Sequence, residues 1–511
     1  MKNAKAIDSK KYLDLIKKFK QEESFQIAQN ALSQATINEV IVDPAAQEKQ
    51  PYLFSNDIRM ETLSVTDQAR SGRCWLFATF NVMRVHVAKK YKIKNFEFSQ
   101  SYSAFWDKFE RANYFLNNVI KTASLPLTDR EVDRLMANGF GGDGGFFEFG
   151  VSVIKKYGVV PVEIMPDSAT AKETRAINVF LDRHLKVAAE KIRKAVNNPD
   201  KQNEIKEMAL KDALKMLTRC YGPIPGAFSY SYQVQEKKNK LTKTVSFKSP
   251  LEFFEKFVQY KFDNYIDIIN YNVKNKKFNQ MYELEDTKTI IETNNILALN
   301  VTKPILKLAS LAAILNNEPI WFACQYGTCG NAKTGIFDFK VYDYETLFDI
   351  KLNKDQPAME SVGQLVSNHA MIFLGFHYNE TASKQKQQNL IKDFAKLSKN
   401  PQELFERLAD AIVIDRWKVE NSHSEKSGNK GFVVITDSWF NQFVSQAVIT
   451  KKSLQNFFDK YPLVDKKLAL LLKKLDGFET TFGKGLKTKP ELLSKYEPFA
   501  VNANNLSKGC K

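Results

Sequence analysis

The alternation of apolar and polar positions divides the chain into a helical first half and a strand-rich second half. From Trp75 to Lys89 no proline occurs, and Phe77, Phe80, Val82, Met83 and Val87 recur near helical spacing. Upstream, Ser9 to Asn30 reads as a polar helix, followed by a loop and a short strand over Glu39-Val40-Ile41-Val42. Ser99 or Ser101 is placed to cap a helix from Tyr102 to Leu116. A glycine-rich turn, Gly141-Gly142-Asp143-Gly144-Gly145, precedes another helix that runs to Lys156. Residues 168–220 are charged and helical until Cys220-Tyr221-Gly222-Pro223 breaks them. A hairpin is predicted over Ala227–Val234 and Leu241–Phe247, and Ser249-Pro250 then opens a helix. Beyond 300, strands are predicted at Ile320–Cys324, Ile336–Tyr342, the apolar run after His369, and Arg416–Ser422. Between the last two, residues 379–412 are polar and helical.

Composition narrows the class. A chain of 511 residues with 43% hydrophobic content buries a sizeable core and is globular. Its five cysteines, Cys74, Cys220, Cys324, Cys329 and Cys510, are scattered with no Cys-x-x-Cys pair. That spacing argues against a disulfide framework or a zinc site and fits a reducing compartment. Met1 to Lys20 mixes charges and has no apolar core of a signal peptide, and no run reaches membrane-spanning length, so a cytoplasmic location is expected. The formal charge of +17 permits weak, sequence-independent attraction to nucleic acid. The lysines fall in short clusters, however, such as Lys237-Lys238 and Lys451-Lys452, which read as solvated surface.

One stretch carries chemistry: Gln68 to Ala78, with Cys74 following a Ser71-Gly72-Arg73 turn at the predicted helix start. The positive end of a helix dipole favours a thiolate, the nucleophilic form of cysteine. Gln68, six residues upstream, can fold back so that its amide and the Cys74 N–H hold the oxyanion of an acyl-transfer intermediate. An isolated cysteine is more often a buried core residue. Here Gln, Gly, Cys and Trp fall together at a helix entrance, which favours the reactive reading.

These residues resemble the nucleophile segment of papain-like cysteine peptidases, and Ser71-Gly72-Arg73-Cys74-Trp75-Leu76-Phe77-Ala78 is similar to the bleomycin hydrolase / aminopeptidase C branch. Phe98-Ser99-Gln100-Ser101-Tyr102 continues the likeness, as do His369-Ala370-Met371 before an apolar strand and Trp417-Lys418-Val419-Glu420-Asn421-Ser422. The resemblance implies an α+β, two-lobed papain-like fold with large helical insertions. Its parts would be an N-terminal arm (1–54), a helical lobe with Cys74 (55–167), and a mostly helical insertion (168–300) that supplies oligomer contacts. A β-rich lobe with His369 and Asn421 (301–455, with 379–412 inserted) and a C-terminal helix and arm (456–511) would follow. The implied activity is that of a cysteine aminopeptidase acting on peptides, assembled as a homo-hexamer, with no metal or cofactor. Cys74 would be the nucleophile, His369 the acid and base, Asn421 its orienting partner and Gln68 the oxyanion donor. Gly144 and Gly145 would pair with extended substrate through their main chain. Two alternatives stay open: an endopeptidase of the same family, and a nucleic-acid-binding protein on a weakened peptidase fold.

The likeness breaks at three places. After the glycine pair the branch carries Gln-Trp, where this chain has Phe146-Phe147. After Asn-Ser it carries Trp-Gly, where this chain has His423-Ser424, so the His–Asn pair is expected to lose its shield from water. In the branch, the terminal carboxylate of a C-terminal arm meets the substrate's free amine. Here that ending is replaced by Asn502 to Lys511.

Overall fold

The computed structural model describes residues 5–48, 51–58, 63–236, 239–274, 276–327, 329–352, 356–454, 463–473 and 483–493. The tail expectation concerns Asn502–Lys511, which lies outside the described residues. The architecture is α+β, with helices gathered in the first half and a long sheet supplied mostly by the second.

The central helix of the first half is Cys74–Tyr91, and it is buried along nearly its whole circumference. A helix apolar on every side belongs in a core, not on a surface. It ends where Lys92 takes a left-handed conformation, φ 54°. Gln100–Lys121 packs beside it, and of the two candidate caps it is Ser99 whose side chain accepts from the Tyr102 N–H. Phe147–Tyr157, Arg175–Lys194 and Pro199–Tyr221 complete this layer.

Strands β1 (Asn56–Asp57), β2 (Phe228–Glu236), β3 (Asn239–Phe247), β4 (Tyr265–Ile269), β5 (Gln280–Leu284), β6 (Ile296–Asn300) and β7 (Ile320–Cys324) come first. They are followed by β8 (Gly330–Asn331), β9 (Ile336–Phe337), β10 (His369–Tyr378), β11 (Ile414–Glu420), β12 (Phe432–Thr436), β13 (Val444–Thr450) and β14 (Glu491–Leu493). β2 and β3 form the predicted hairpin by themselves. The others form one sheet in the order β14-β5-β6-β4-β13-β7-β10-β11-β12-β9-β8, with β1 added to β10. In it β10 lies between β7 and β11, and the register sets His369 opposite Cys324 and Ile372 opposite Glu420. The helix Cys74–Tyr91 packs on β10 and β7, and the Trp321 indole N–H donates to the Trp75 carbonyl at 3.1 Å. No helix of the described residues is long and apolar enough to cross a membrane.

Three expectations are corrected. Glu39–Val42 is not a strand: Ile37–Val40 is one helical turn, closed by a capping box in which the Glu39 carboxylate accepts from the Thr36 backbone and hydroxyl. The segment 168–300 is not mostly helical throughout, because β4, β5 and β6 leave it to join the main sheet. Ile266, Ile268 and Ile269 are buried there, between β13 and β6. The strand at Ile336 stops at Phe337, where the Asp338 carboxylate accepts from the Lys340 N–H and turns the chain.

Candidate active site

The loop before Cys74 is built from hydrogen bonds that its own sequence supplies. Ala69 sits at φ 50°, so the chain doubles back over Gln68 to Ser71. The Gln68 N–H donates to the Ser422 carbonyl at 2.8 Å, and Asp67 forms an antiparallel bridge with His423. The loop therefore runs beside the segment that carries Asn421. Both ends of the Gln68 amide are held: Nε2 donates to the Ser71 carbonyl at 2.7 Å, and Oε1 accepts from the Ser422 hydroxyl at 2.6 Å. An amide nitrogen has two hydrogens, so the Ser71 bond uses one of them.

Below this turn, Arg73 donates through Nε to the Ser71 hydroxyl and in bidentate form to Asp167, at 3.2 and 2.8 Å. The Gly72 N–H donates to Asp143 at 3.1 Å, and a Cβ at position 72 would stand 2.8 Å from the Asp143 Cβ. Glycine is required there by close approach. Burial works to raise the Asp143 carboxyl, but the Lys108 ammonium and the hydrogen bonds of Lys108, Thr174 and Asn178 outweigh it and hold it well below the usual range. Cys74 is the first residue of the helix and is fully buried, while the Leu76 and Phe77 N–H groups already donate to the Arg73 carbonyl.

His369 opens β10. Its Nε2 lies 2.8 Å from Asn421 Oδ1; a carbonyl oxygen only accepts, so Nε2 carries the hydrogen. Nδ1 of the same ring is buried and has no hydrogen-bond partner among the described residues. Burial, and then the neighbouring His423, press the His369 imidazole down to about 3, against the hydrogen bond of Asn421. A buried imidazole stays neutral unless an anion stands beside it. Cys324, the strand partner of His369, donates its thiol to the His369 carbonyl at 3.7 Å. Burial, with Cys74 as a further contributor, pushes that Cys324 thiol well up. Cys324 is thus the strand partner of His369 and lies within electrostatic reach of Cys74.

The expected exposure of the His–Asn pair does not occur. His369 and Asn421 are 1% and 0% exposed. Cover comes from the Tyr326 ring, 4.5 Å from the His369 ring, and from His423, 5.0 Å from it. No local pattern marks either of them: position 423 shows only the absence of the branch's Trp, and Tyr326 is an ordinary aromatic just past a strand end.

Gly144 and Gly145 lie buried in the turn before Phe147–Tyr157. A Cβ at Gly145 would sit 2.7 Å from the Trp75 ring, whose N–H donates to the Asp143 carbonyl at 2.6 Å. Packing on Trp75 is thus sufficient reason for that glycine. Among the described residues, no three His, Cys, Asp or Glu side chains are arranged to hold a metal ion.

Sequence reasoning also missed an ion pair. Arg84, on the Cys74 helix, donates to the Glu420 carboxylate at 2.5 Å and to the Ser64 carbonyl at 2.8 Å. Both side chains are almost fully buried, at 2% and 0% exposed. The pair ties the Cys74 helix to the end of β11, one residue before Asn421. No local spacing reveals it, because the partners are 336 positions apart.

Comparison with known proteins gives a consistent picture. The model of the Peptidase C1-like family matches residues 6–391 and 407–471. Aminopeptidase C of Lactobacillus delbrueckii subsp. lactis is 32% identical over 425 residues, 83% of this chain and 85% of that protein. Bleomycin hydrolase of Rattus norvegicus is 31% identical over 460 residues, 88% of this chain and 94% of its own length. The crystal structure of PepW from Lactobacillus rhamnosis HN001 matches with a TM-score of 0.80 at 27% identity, covering 98% of this chain and 99% of that one.

Proposed function

The chain belongs to the Peptidase C1-like family, and from that premise we propose that it is a cysteine aminopeptidase with Cys74 as nucleophile and His369 as acid and base. The observation that carries the assignment is the His369 ring: Nε2 is gripped by Asn421 at 2.8 Å, while Nδ1 is buried and has no hydrogen-bond partner among the described residues, on a strand whose neighbour Cys324 feels the charge of Cys74.

In this reading the Cys74 thiolate and the His369 imidazolium form together. Burial alone keeps the imidazole neutral, and the adjacent anion is what stabilises its cation. The thiolate attacks the carbonyl carbon of the first peptide bond, and the carbonyl electrons move onto oxygen. The second N–H of the Gln68 amide, with the Cys74 backbone N–H, receives that oxyanion. His369 passes its Nδ1 proton to the leaving nitrogen, the C–N bond breaks, and a thioester remains on Cys74. The imidazole, now neutral, takes a proton from water; the hydroxide displaces the thiolate, and the ion pair is restored. Asn421 keeps the ring in plane throughout, and Gly144 and Gly145 offer main-chain groups to extended substrate.

A panel of aminoacyl and N-acylated fluorogenic peptides tests this, each assayed before and after a thiol alkylator. Free-amine substrates are expected to be cleaved faster than their N-blocked counterparts, and alkylation to stop both. Preference for N-blocked peptides would replace aminopeptidase by endopeptidase activity.

A further inference from the structure

We propose that His423 is a positioning residue for His369: as a neutral hydrogen-bond acceptor at Nδ1, it holds the Asn421 amide in the one orientation that can grip the imidazole. The inference rests on the reading of His369 as the catalytic base.

The argument starts from what an amide can do. Its oxygen only accepts and its nitrogen only donates, so turning the group over exchanges every partner. Asn421 Oδ1 accepts twice, from His369 Nε2 at 2.8 Å and from the Ser422 N–H at 2.8 Å. Nδ2 points the other way, 3.1 Å from His423 Nδ1 and 3.4 Å from the Tyr326 hydroxyl. The Tyr326 hydroxyl lies 3.4 Å from the same His423 nitrogen. A hydroxyl both accepts and donates, so Tyr326 completes the arrangement by accepting from Asn421 and donating to His423. All of this requires a lone pair on His423 Nδ1, with the ring hydrogen on Nε2. A hydrogen on Nδ1 would set two donors face to face at 3.1 Å, and turning the amide over to relieve that clash would put its NH2 toward His369 and Ser422. The grip on the catalytic ring therefore depends on the tautomer and charge of a second histidine.

The same geometry makes the grip sensitive to acid. The titratable groups facing His423 are Asp67 on the nucleophile loop, Tyr326 after β7 and His369 on β10. Burial lowers His423 below its ordinary value, with Asp67 working in the opposite direction. Near neutrality His423 is uncharged and accepts. As pH falls through its lowered pKa, it acquires a proton on Nδ1 and a positive charge 5.0 Å, ring to ring, from His369. Both changes act against the imidazolium that the reaction needs, so activity is lost on the acid side.

Two variants separate the roles of ring and lone pair. His423→Phe keeps an aromatic cover but offers no acceptor; His423→Gln offers an acceptor oxygen that does not titrate. With one hydrogen bond to Asn421 removed, His423→Phe should lower kcat/KM roughly fivefold to tenfold, mainly through kcat. His423→Gln should recover most of that loss, with an acid limb displaced to lower pH and less steep than the parent's. Independently of any variant, nitrogen-15 NMR of the histidine-labelled parent should find His423 Nδ1 unprotonated at neutral pH. A protonated Nδ1, or a folded His423→Phe with the parent's kcat/KM and acid limb, would overturn the proposal. A parent that hydrolyses no peptide would instead contradict the proposed function, and the NMR measurement would still decide the role of His423.

Discussion

Cys74→Ala is expected to retain no more than about one ten-thousandth of the parent's peptide hydrolysis, the scale of loss when the nucleophile of a concerted catalytic group is removed. The expectation rests on position. Among the described cysteines, Cys74 alone begins a helix, where the dipole favours its anion, and it follows a loop whose Gln68 amide is held at both ends. Cys324 is buried within β7 and its thiol is pushed up, so it stays protonated; Cys220 is partly exposed and is pushed up as well. Alanine at Cys220, Cys324, Cys329 or Cys510 should therefore leave most of the activity, with Cys324→Ala losing some stability to the small cavity it opens. Steady-state assays of the five variants, each checked for folding by circular dichroism, decide the matter. Parent-like turnover in Cys74→Ala would refute the assignment.

Arg84→Met should destabilise the protein by about 3–5 kcal/mol, because it strands the Glu420 carboxylate in the core. Burial already raises Glu420 above its ordinary value, and Arg84 is the largest influence opposing that. Without the guanidinium, burial acts almost unopposed. The folded state then holds a proton on Glu420 that the unfolded chain releases above the ordinary carboxylate range. A folded pKa above the unfolded one means that stability is present at low pH and is lost as pH rises toward the folded value. Urea unfolding should accordingly find a smaller deficit for Arg84→Met at pH 5 than at pH 8. The double replacement Arg84→Met with Glu420→Leu should recover much of the loss, since no charge is then left unpaired. Equal midpoints for Arg84→Met and the parent at both pH values would mean that the pair does not join the lobes.

Much of the candidate site proposed here was legible in the order Gln68, Cys74, His369, Asn421, since each falls in a local pattern: a turn before a helix, the mouth of an apolar strand, the end of another strand. What was not legible depends on contacts between distant segments. Arg84 looks like one more polar residue in a helix, and only the fold brings it to Glu420. The loss of the shielding Trp was visible at His423, but its replacement by Tyr326 was not, because Tyr326 reaches the pair from the loop after β7. The strands between 265 and 300 were absorbed into a helical insertion because each is only five residues long and most of their residues are buried, so that no clean alternation marks them. The helical turn at Ile37–Val40 had its sign in the sequence, Thr36 followed three residues on by Glu39, but Val-Ile-Val reads equally well as a strand.

The central claim is a covalent one: during turnover the acyl group resides on the Cys74 sulfur. An aminoacyl nitrophenyl ester is the suitable probe, because its good leaving group speeds acylation and lets the thioester accumulate. Rapid mixing followed by an acid quench, intact mass and peptide mapping should give a nitrophenol burst of one equivalent per active chain and the added acyl mass on the peptide containing Cys74. Turnover without a burst and without an adduct on Cys74, or an adduct carried by another residue, would contradict the account.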